Sequence, residues 1–383
     1  MSTYDLLISG GMLVDPAQKI HGRRDVALKD GKVAALADAI PANQADQVVD
    51  ATGRIVTPGL IDLHVHVFEG VSYLGVNPDA ECLGRGSTTV VDAGSAGAQT
   101  FPGFRKYIID VSETRIFAQL NISVQGMLTE LVGELDDIRW VDVPRALQTI
   151  EANRDLILGV KVRLTRDSIV GRSAGITPLH LAREVADATG LAIMVHPQDA
   201  WCESLDDILA VMNDRDILTH TYHGKGHGIL DSDGSVRHSV LEAVERGVIF
   251  DVGHGAGSFT WDVAERALSQ GFAPQTISTD IHTQSIELVR DMPTTMSKFL
   301  HMGVGLDEVI ANSTSRPANA IGMEQQIGTL RPGSWGDAVV LELVEGDVEL
   351  RDSAGEARTV RQVLQPRVVV KGGRVYQPTD ARL

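Results

Sequence analysis

Between Pro58 and Met323 near-continuous apolar runs alternate with helical segments, and this alternation constrains the fold more than any other feature of the chain. The runs are Leu60–His66, Thr88–Ala93, Arg115–Ser123, Leu158–Thr165, Ala192–His196, Ile217–Tyr222, Val248–Gly253 and Thr276–Ile281. Runs of this kind suit parallel strands covered on both faces. The stretches between them carry helix-boundary chemistry. Thr177-Pro178 reads as an N-cap followed by a first-turn proline, and Gly190 closes that helix. Ser204-Leu205-Asp206-Asp207 reads as a capping box, and Thr260 precedes the periodic run Val263, Ala264, Ala267, Leu268. Eight strands alternating with helices over about 265 residues match the size and grammar of an α/β fold, the (β/α)8 TIM barrel. A doubly wound open sheet would bring a Gly-rich phosphate loop after its first strand, and none follows here.

The two ends read differently. Short β-type runs (Asp5–Ser9, Met12–Val14, Asp25–Leu28, Val33–Leu36) are separated by Gly10-Gly11 and Asp30-Gly31, which are hairpin signals. The far end repeats the style with Ala338–Leu343, Asp347–Leu350, Val360–Leu364 and Val368–Val370. Either end alone has a marginal core. The expectation is one small β-sandwich domain composed of residues 1–57 and 325–383, flanking a barrel of residues 58–324.

Charge narrows the partners. Lys+Arg 34 against Asp+Glu 51 gives a formal net charge of -17, which argues against nucleic acid or an anionic membrane surface. A small-molecule substrate is the expected partner, and self-association into a homo-oligomer stays open. The first residues lack a basic segment followed by an apolar one, and no run of about 18 apolar residues occurs, so a cytoplasmic location is expected. Cys82 and Cys202 are too few for a disulfide framework and read as bystander thiols.

In a barrel, chemistry sits at the C-terminal ends of the strands. Those ends carry His64 and His66 on strand 1, Lys161 on strand 4, His196 on strand 5, His220 on strand 6 and Asp280 on strand 8. Alternate residues of a strand face one way, so His64 and His66 converge. Lys161 lies inside the apolar stretch Leu158-Gly159-Val160-Lys161-Val162, where an unpaired ammonium is costly unless it is paired or chemically modified. His223 and His227 compete with His220, which is preferred because it ends an apolar run. Around these, Arg163 should face the same side as Lys161, either anchoring a substrate carboxylate or closing a salt bridge. Tyr222, His223, His254 and His282 are further candidates for substrate contact, and Asn121, Ser123, Ser95 and Ser278 lie near strand ends.

The stretch Ile55-Val56-Thr57-Pro58-Gly59-Leu60-Ile61-Asp62-Leu63-His64-Val65-His66 resembles the strand-1 signature of the binuclear amidohydrolase superfamily, the group of urease, dihydroorotase, hydantoinase and phosphotriesterase. Ser315-Arg316-Pro317-Ala318-Asn319 and Gly328-Thr329-Leu330-Arg331-Pro332-Gly333-Ser334 resemble its return to the β domain, so the likeness spans nearly the whole chain. Asp92-Ala93-Gly94-Ser95-Ala96-Gly97, Gly159-Val160-Lys161-Val162-Arg163, Leu218-Thr219-His220 and Ile277-Ser278-Thr279-Asp280-Ile281 are similar to the dihydroorotase-like deacetylases of small acylated molecules.

The resemblance implies two divalent metal ions, with zinc suiting the nitrogen and oxygen donors best. His64 and His66 would hold one ion with Asp280 beside it, and His196 and His220 the other. Lys161, carboxylated by CO2, would bridge them. The ions would share a hydroxide, and Asp280 would act as general acid and base. The expected activity is hydrolysis of an ester or amide bond, foremost deacetylation of a small acylated hydroxy or amino acid. The alternative is cyclic amide hydrolysis of the dihydroorotase or hydantoinase kind. Dihydroorotases place a carboxylate-gripping arginine two residues past the second histidine, where this chain has Phe68. A catalytically dead scaffold would have lost ligands, and a mononuclear deaminase would lack the strand-4 lysine.

Overall fold

A computed structural model describes residues 2–379, so the last residues of the expected composite domain lie outside the described part. The N-terminal strands are β1 (Tyr4–Ser9), β2 (Met12–Asp15), β3 (Ile20–Arg23), β4 (Asp25–Lys29), β5 (Lys32–Ala37), β6 (Ala45–Asp50) and β7 (Ile55–Pro58). The central strands are β8 (Leu60–Val65), β9 (Ser87–Gly97), β10 (Arg115–Asn121), β11 (Ile157–Arg163), β12 (Ala192–His196), β13 (Ile217–Leu218) and β14 (Ile249–Phe250). The chain ends with β15 (Ala338–Arg351), β16 (Ala357–Lys371) and β17 (Arg374–Tyr376).

The central strands form one parallel sheet in chain order, β8 through β14. Every residue of β8 and β9 is buried, the polar ones included, as strands covered on both faces should be. The expected eighth strand is not a regular one. Thr276–Ile281 instead runs between the two edges of the sheet through isolated bridges, Asp251 to Thr276 and Val65 to Ile281. Backbone bonds from Val252 N to Thr276 O (3.1 Å), from Asp280 N to His64 O (2.7 Å) and from His66 N to Ile281 O (3.0 Å) close the circle. Near the end of the segment Asp280 has a left-handed backbone, φ 49°, which a regular strand does not contain. A side chain does the remaining work: buried Asp62 accepts from Thr279 N (3.0 Å) and Thr279 Oγ1 (2.6 Å), stitching the closing segment to β8. The architecture is of the TIM-barrel type.

The helix boundaries follow their signals with one shift. Ser204 and Asp207 make the expected capping box, and Thr260 accepts from Val263 N. Thr177, read as an N-cap, is instead the first residue of the helix Thr177–Thr189, which Ile176 precedes without a side-chain cap; Gly190 ends it in the left-handed region.

The terminal strands form two sheets, β5-β4-β1-β6 and β17-β16-β15-β7-β2-β3. Leu6, Ile8, Val26 and Leu28 from the first meet Leu13, Val56, Val340 and Val370 from the second in one apolar cluster. The four C-terminal runs read from the sequence are two long strands, paired from Ala338–Val370 to Arg351–Ala357 with bulges where the alternation slips. The other face of this hairpin, including Leu341, Val363 and Leu364, joins the barrel core. Its tip grips the loop after β14: Asp352 accepts from Trp261 N (3.0 Å), and Ser353 Oγ donates to Phe259 O (2.6 Å). No helix among the described residues is long and apolar enough to cross a membrane.

Candidate metal centre

At the C-terminal mouth of the barrel, His64 and His66 leave β8 with their Nε2 atoms 3.4 and 3.2 Å from Asp280 Oδ1. The donor atoms of these three buried residues all lie within 4.8 Å of one another. Each histidine is oriented by a hydroxyl on its other nitrogen. His64 Nδ1 is 2.8 Å from Thr219 Oγ1, and Thr219 in turn donates to the buried carboxylate of Asp251 (2.8 Å). His66 Nδ1 is 3.0 Å from Ser95 Oγ. Such outer partners set the tautomer and aim Nε2 into the site.

Asp280 Oδ1 is buried and has no hydrogen-bond partner among the described residues. A buried acceptor left this way costs about 1–3 kcal/mol, which a cation would remove. Burial raises the Asp280 carboxyl to about 6, opposed by the charges of His282, Lys161 and Arg163. Burial also pushes His66 down to about 3 and His64, His196 and His220 well below the usual imidazole value. Four neutral imidazoles are in the form that binds metal. The donor set fits a divalent ion at His64, His66 and Asp280.

A second set adjoins it. The His196 and His220 rings are 4.3 Å apart, and the His64 and His220 rings 4.9 Å. His220 Nδ1 is held 2.7 Å from Gly253 O, which leaves its Nε2 without a hydrogen-bond partner among the described residues. His196 Nε2 lies 3.2 Å from Thr165 Oγ1, so Nδ1 is its unpartnered nitrogen. Lys161 is fully buried, with Nζ 3.3 Å from His64 Nε2 and 3.5 Å from Met194 Sδ, and no carboxylate pairs with it among the described residues. Burial brings its amine down to about 7 against the pull of Asp280. Close approach is built in: a Cβ on Gly94 would lie 2.7 Å from Lys161 Cβ, and one on Gly255 2.2 Å from Asp280 Oδ2.

The structure thus brings His64, His66, His196, His220 and Asp280 onto one cavity of about 300 Å³ that Arg163 and His282 also line, with Lys161 buried behind His64. His282 sits with Nε2 3.9 Å from Asp280 Oδ2. Three other expected contacts are corrected. Tyr222 is fully buried between Phe259 and Phe299, with no partner on its hydroxyl, and does not line the cavity. His254 is turned away from the mouth, stacked on Phe259 (4.6 Å) with Nε2 2.6 Å from Lys298 Nζ. His223 is buried in its own loop, accepting from Lys225 N (3.1 Å). His227 is spent on Cys202 O (3.1 Å).

Of the two readings left open for Arg163, the salt bridge is what the fold contains: Nε and Nη2 reach Glu134 at 2.6 and 2.7 Å. Phe68 packs on Phe104 (4.8 Å) and is not part of the cavity wall. Ser95 supports His66, Ser278 donates to Asp251 (2.6 Å), and Asn121 is tied to Gly94 O and Ser123 N. The sequence reading missed Glu134, the Thr219–Asp251 support, and the wall formed by Gln198, Lys225 and Ser258. Asp251 alone carried a signal, as a carboxylate within an apolar strand.

The amidohydrolase family profile matches residues 55–375 of this chain. A deacetylase of Agrobacterium fabrum is 36% identical over 345 residues, 90% of this chain and 84% of its own. A deacetylase of Enterococcus faecalis is 34% identical over 378 residues, covering 97% and 99%. Two solved structures share the fold over 98% of this chain. One, described as an adenine deaminase, has a TM-score of 0.90 at 34% identity and is covered in full (100%); the other, described as a dihydroorotase, has 0.88 at 33% and is covered to 99%. With its histidines, lysine and aspartate gathered at the mouth of a barrel of this type, the chain belongs to the amidohydrolase family.

Proposed function

We propose that the protein removes the acyl group, acetyl foremost, from a small acylated hydroxy or amino acid, using two divalent ions, zinc in the simplest case. The observation that carries this reading is the unpartnered Asp280 Oδ1 set between two neutral histidines, with Lys161, His196 and His220 alongside. The deacetylase names of the relatives support the acyl class. When bound, the ions supply Lewis acidity to a carbonyl and acidify water.

The residues take the following parts. His64, His66 and Asp280 would hold one ion, and His196 and His220 the other. Lys161, buried with Nζ 3.3 Å from His64 Nε2, would form an N–C bond to CO2 and lose a proton, and the resulting carbamate anion would serve as an oxygen ligand for the ions. Asp280 takes a proton from the attacking water and passes it to the leaving oxygen or nitrogen. Asp280 is the carboxylate that lines the cavity among the described residues, which suits it to accept and return that proton. We read residues 1–57 and 325–383 as a composite β-sandwich domain that carries the barrel of residues 58–324.

Cyclic amide hydrolysis is the second reading, favoured by the dihydroorotase-like structure and disfavoured by Phe68, which is packed away from the cavity. Metal-loaded protein offered N-acetyl amino acids, O-acetyl hydroxy acids, dihydroorotate and hydantoins tests both. Turnover of the acetylated acids with about two metals per chain is expected. Preference for the cyclic amides, or full activity with one metal, refutes the first reading.

A further inference from the structure

Two cationic side chains outside the ligand set line the cavity, Arg163 and Lys225, and their electrostatic situations differ. Glu134 clasps the Arg163 guanidinium through two hydrogen bonds, so most of its charge is spent inside the protein. Lys225 has no carboxylate within ion-pair distance among the described residues. Its Nζ has one hydrogen-bond partner, Gln198 Oε1, at a long 3.4 Å. The nearby carboxylate of Asp199 is used by the loop itself, accepting from Gly226 N (3.1 Å).

The rest of this wall is built around that ammonium. Gln198 is buried and donates its amide to Ser258 Oγ (2.8 Å), which fixes Oε1 toward Lys225 and leaves the Ser258 proton to donate elsewhere. Gly257 lies beside Nζ, where a Cβ would stand 3.1 Å away, so the backbone leaves the ammonium accessible from the cavity. Lys225 is an exposed residue, so its ammonium is hydrated and stays charged, and in a chain of net charge -17 it stands without a carboxylate partner among the described residues on the same cavity as the candidate metal ligands. Local positive charge of this kind is what an anionic substrate needs.

We propose that Lys225, with the Ser258 hydroxyl and the Gln198 amide as its frame, is the anchor for a substrate carboxylate, and that the enzyme therefore selects acylated acids over their neutral analogues. This takes the role the sequence offered to Arg163 and gives it to the unpaired cation. It rests on the hydrolase reading above and narrows it to substrates bearing a free carboxylate a few bonds from the scissile acyl group.

The test compares metal-loaded wild type with Lys225→Met and Lys225→Arg on an acetylated hydroxy or amino acid and on its primary carboxamide. A charged hydrogen bond lost from such a site should lower the carboxylate-to-carboxamide ratio of kcat/KM by about ten- to a hundredfold in Lys225→Met. The loss should fall mainly on KM, with partial recovery in Lys225→Arg. An unchanged ratio in Lys225→Met, or a collapse of the ratio in Arg163→Met instead, overturns the assignment. Calorimetric binding of lactate and lactamide to the same metal-loaded proteins keeps the two readings apart. If wild type hydrolyses none of the acylated acids, the deacylase reading fails. A lactate preference lost in Lys225→Met would still uphold the anchor, and one retained would overturn it.

Discussion

Glu134→Ala should be among the costliest single substitutions near the mouth of the barrel. The Glu134 side chain is 2% exposed and that of Arg163 10%, and their two hydrogen bonds are 2.6 and 2.7 Å long. Burial opposes the arginine's charge, but the carboxylate beside it more than offsets this, and the guanidinium is held charged even more firmly than usual. It has no neutral form to retreat to. Removing the carboxylate strands a buried cation, and breaking such a pair costs about 3–5 kcal/mol. An unfolding entropy of about 2.1 cal/mol/K per residue over 383 residues is about 0.8 kcal/mol per degree, so the melting temperature should fall by about 4–6 °C. Thermal unfolding of the metal-loaded protein, followed by circular dichroism, measures this. Glu134→Ala combined with Arg163→Met should recover most of the loss, because the stranded charge is gone. A shift below about 1 °C, or a double variant whose loss is the sum of the two singles, would refute the account of a desolvated and mutually dependent pair.

Three further outcomes are expected. Asp280→Asn should lower kcat by about 10²–10⁴-fold, the usual worth of a general acid–base group, and steady-state turnover at saturating metal measures it. Lys161→Ala should abolish activity and lower the metal content determined by elemental analysis; a variant that loads as wild type would remove Lys161 from the bridge. Lys298 is buried, and burial brings its amine down to about 7 against the pull of Asp352. Because its folded value lies below the unfolded 10.5, the unfolded chain takes up the proton first, so this residue's contribution to stability is lost as pH falls from about 10 to 7. Urea unfolding of Lys298→Met should therefore gain on wild type over that interval, and a constant difference would show that Lys298 stays charged.

The candidate ligands could be located along the chain because strand ends are local. His64 and His66 converge through the two-residue period of β8, and Lys161 stands out as a cation within an apolar run. The same logic failed at Tyr222 and His223. β13 has only two residues and His220 turns left-handed (φ 64°), so no alternation carries past it to say which side chains face the cavity. His254 failed for a related reason, since it follows the two-residue β14 and swings back to Lys298 on the helix Met292–His301.

By itself the sequence determined the barrel grammar, the strand-end histidines, the buried lysine and the family, because each is written in periodicity or in contiguous residues. Tertiary structure alone decided which cation at the mouth is neutralised and which is left free. Glu134 is 29 positions from Arg163 in a segment without periodicity, and Lys225, Gln198 and Ser258 come from three separate loops. Charge compensation depends on distance through space and on exclusion of water, and neither quantity has a period along the chain.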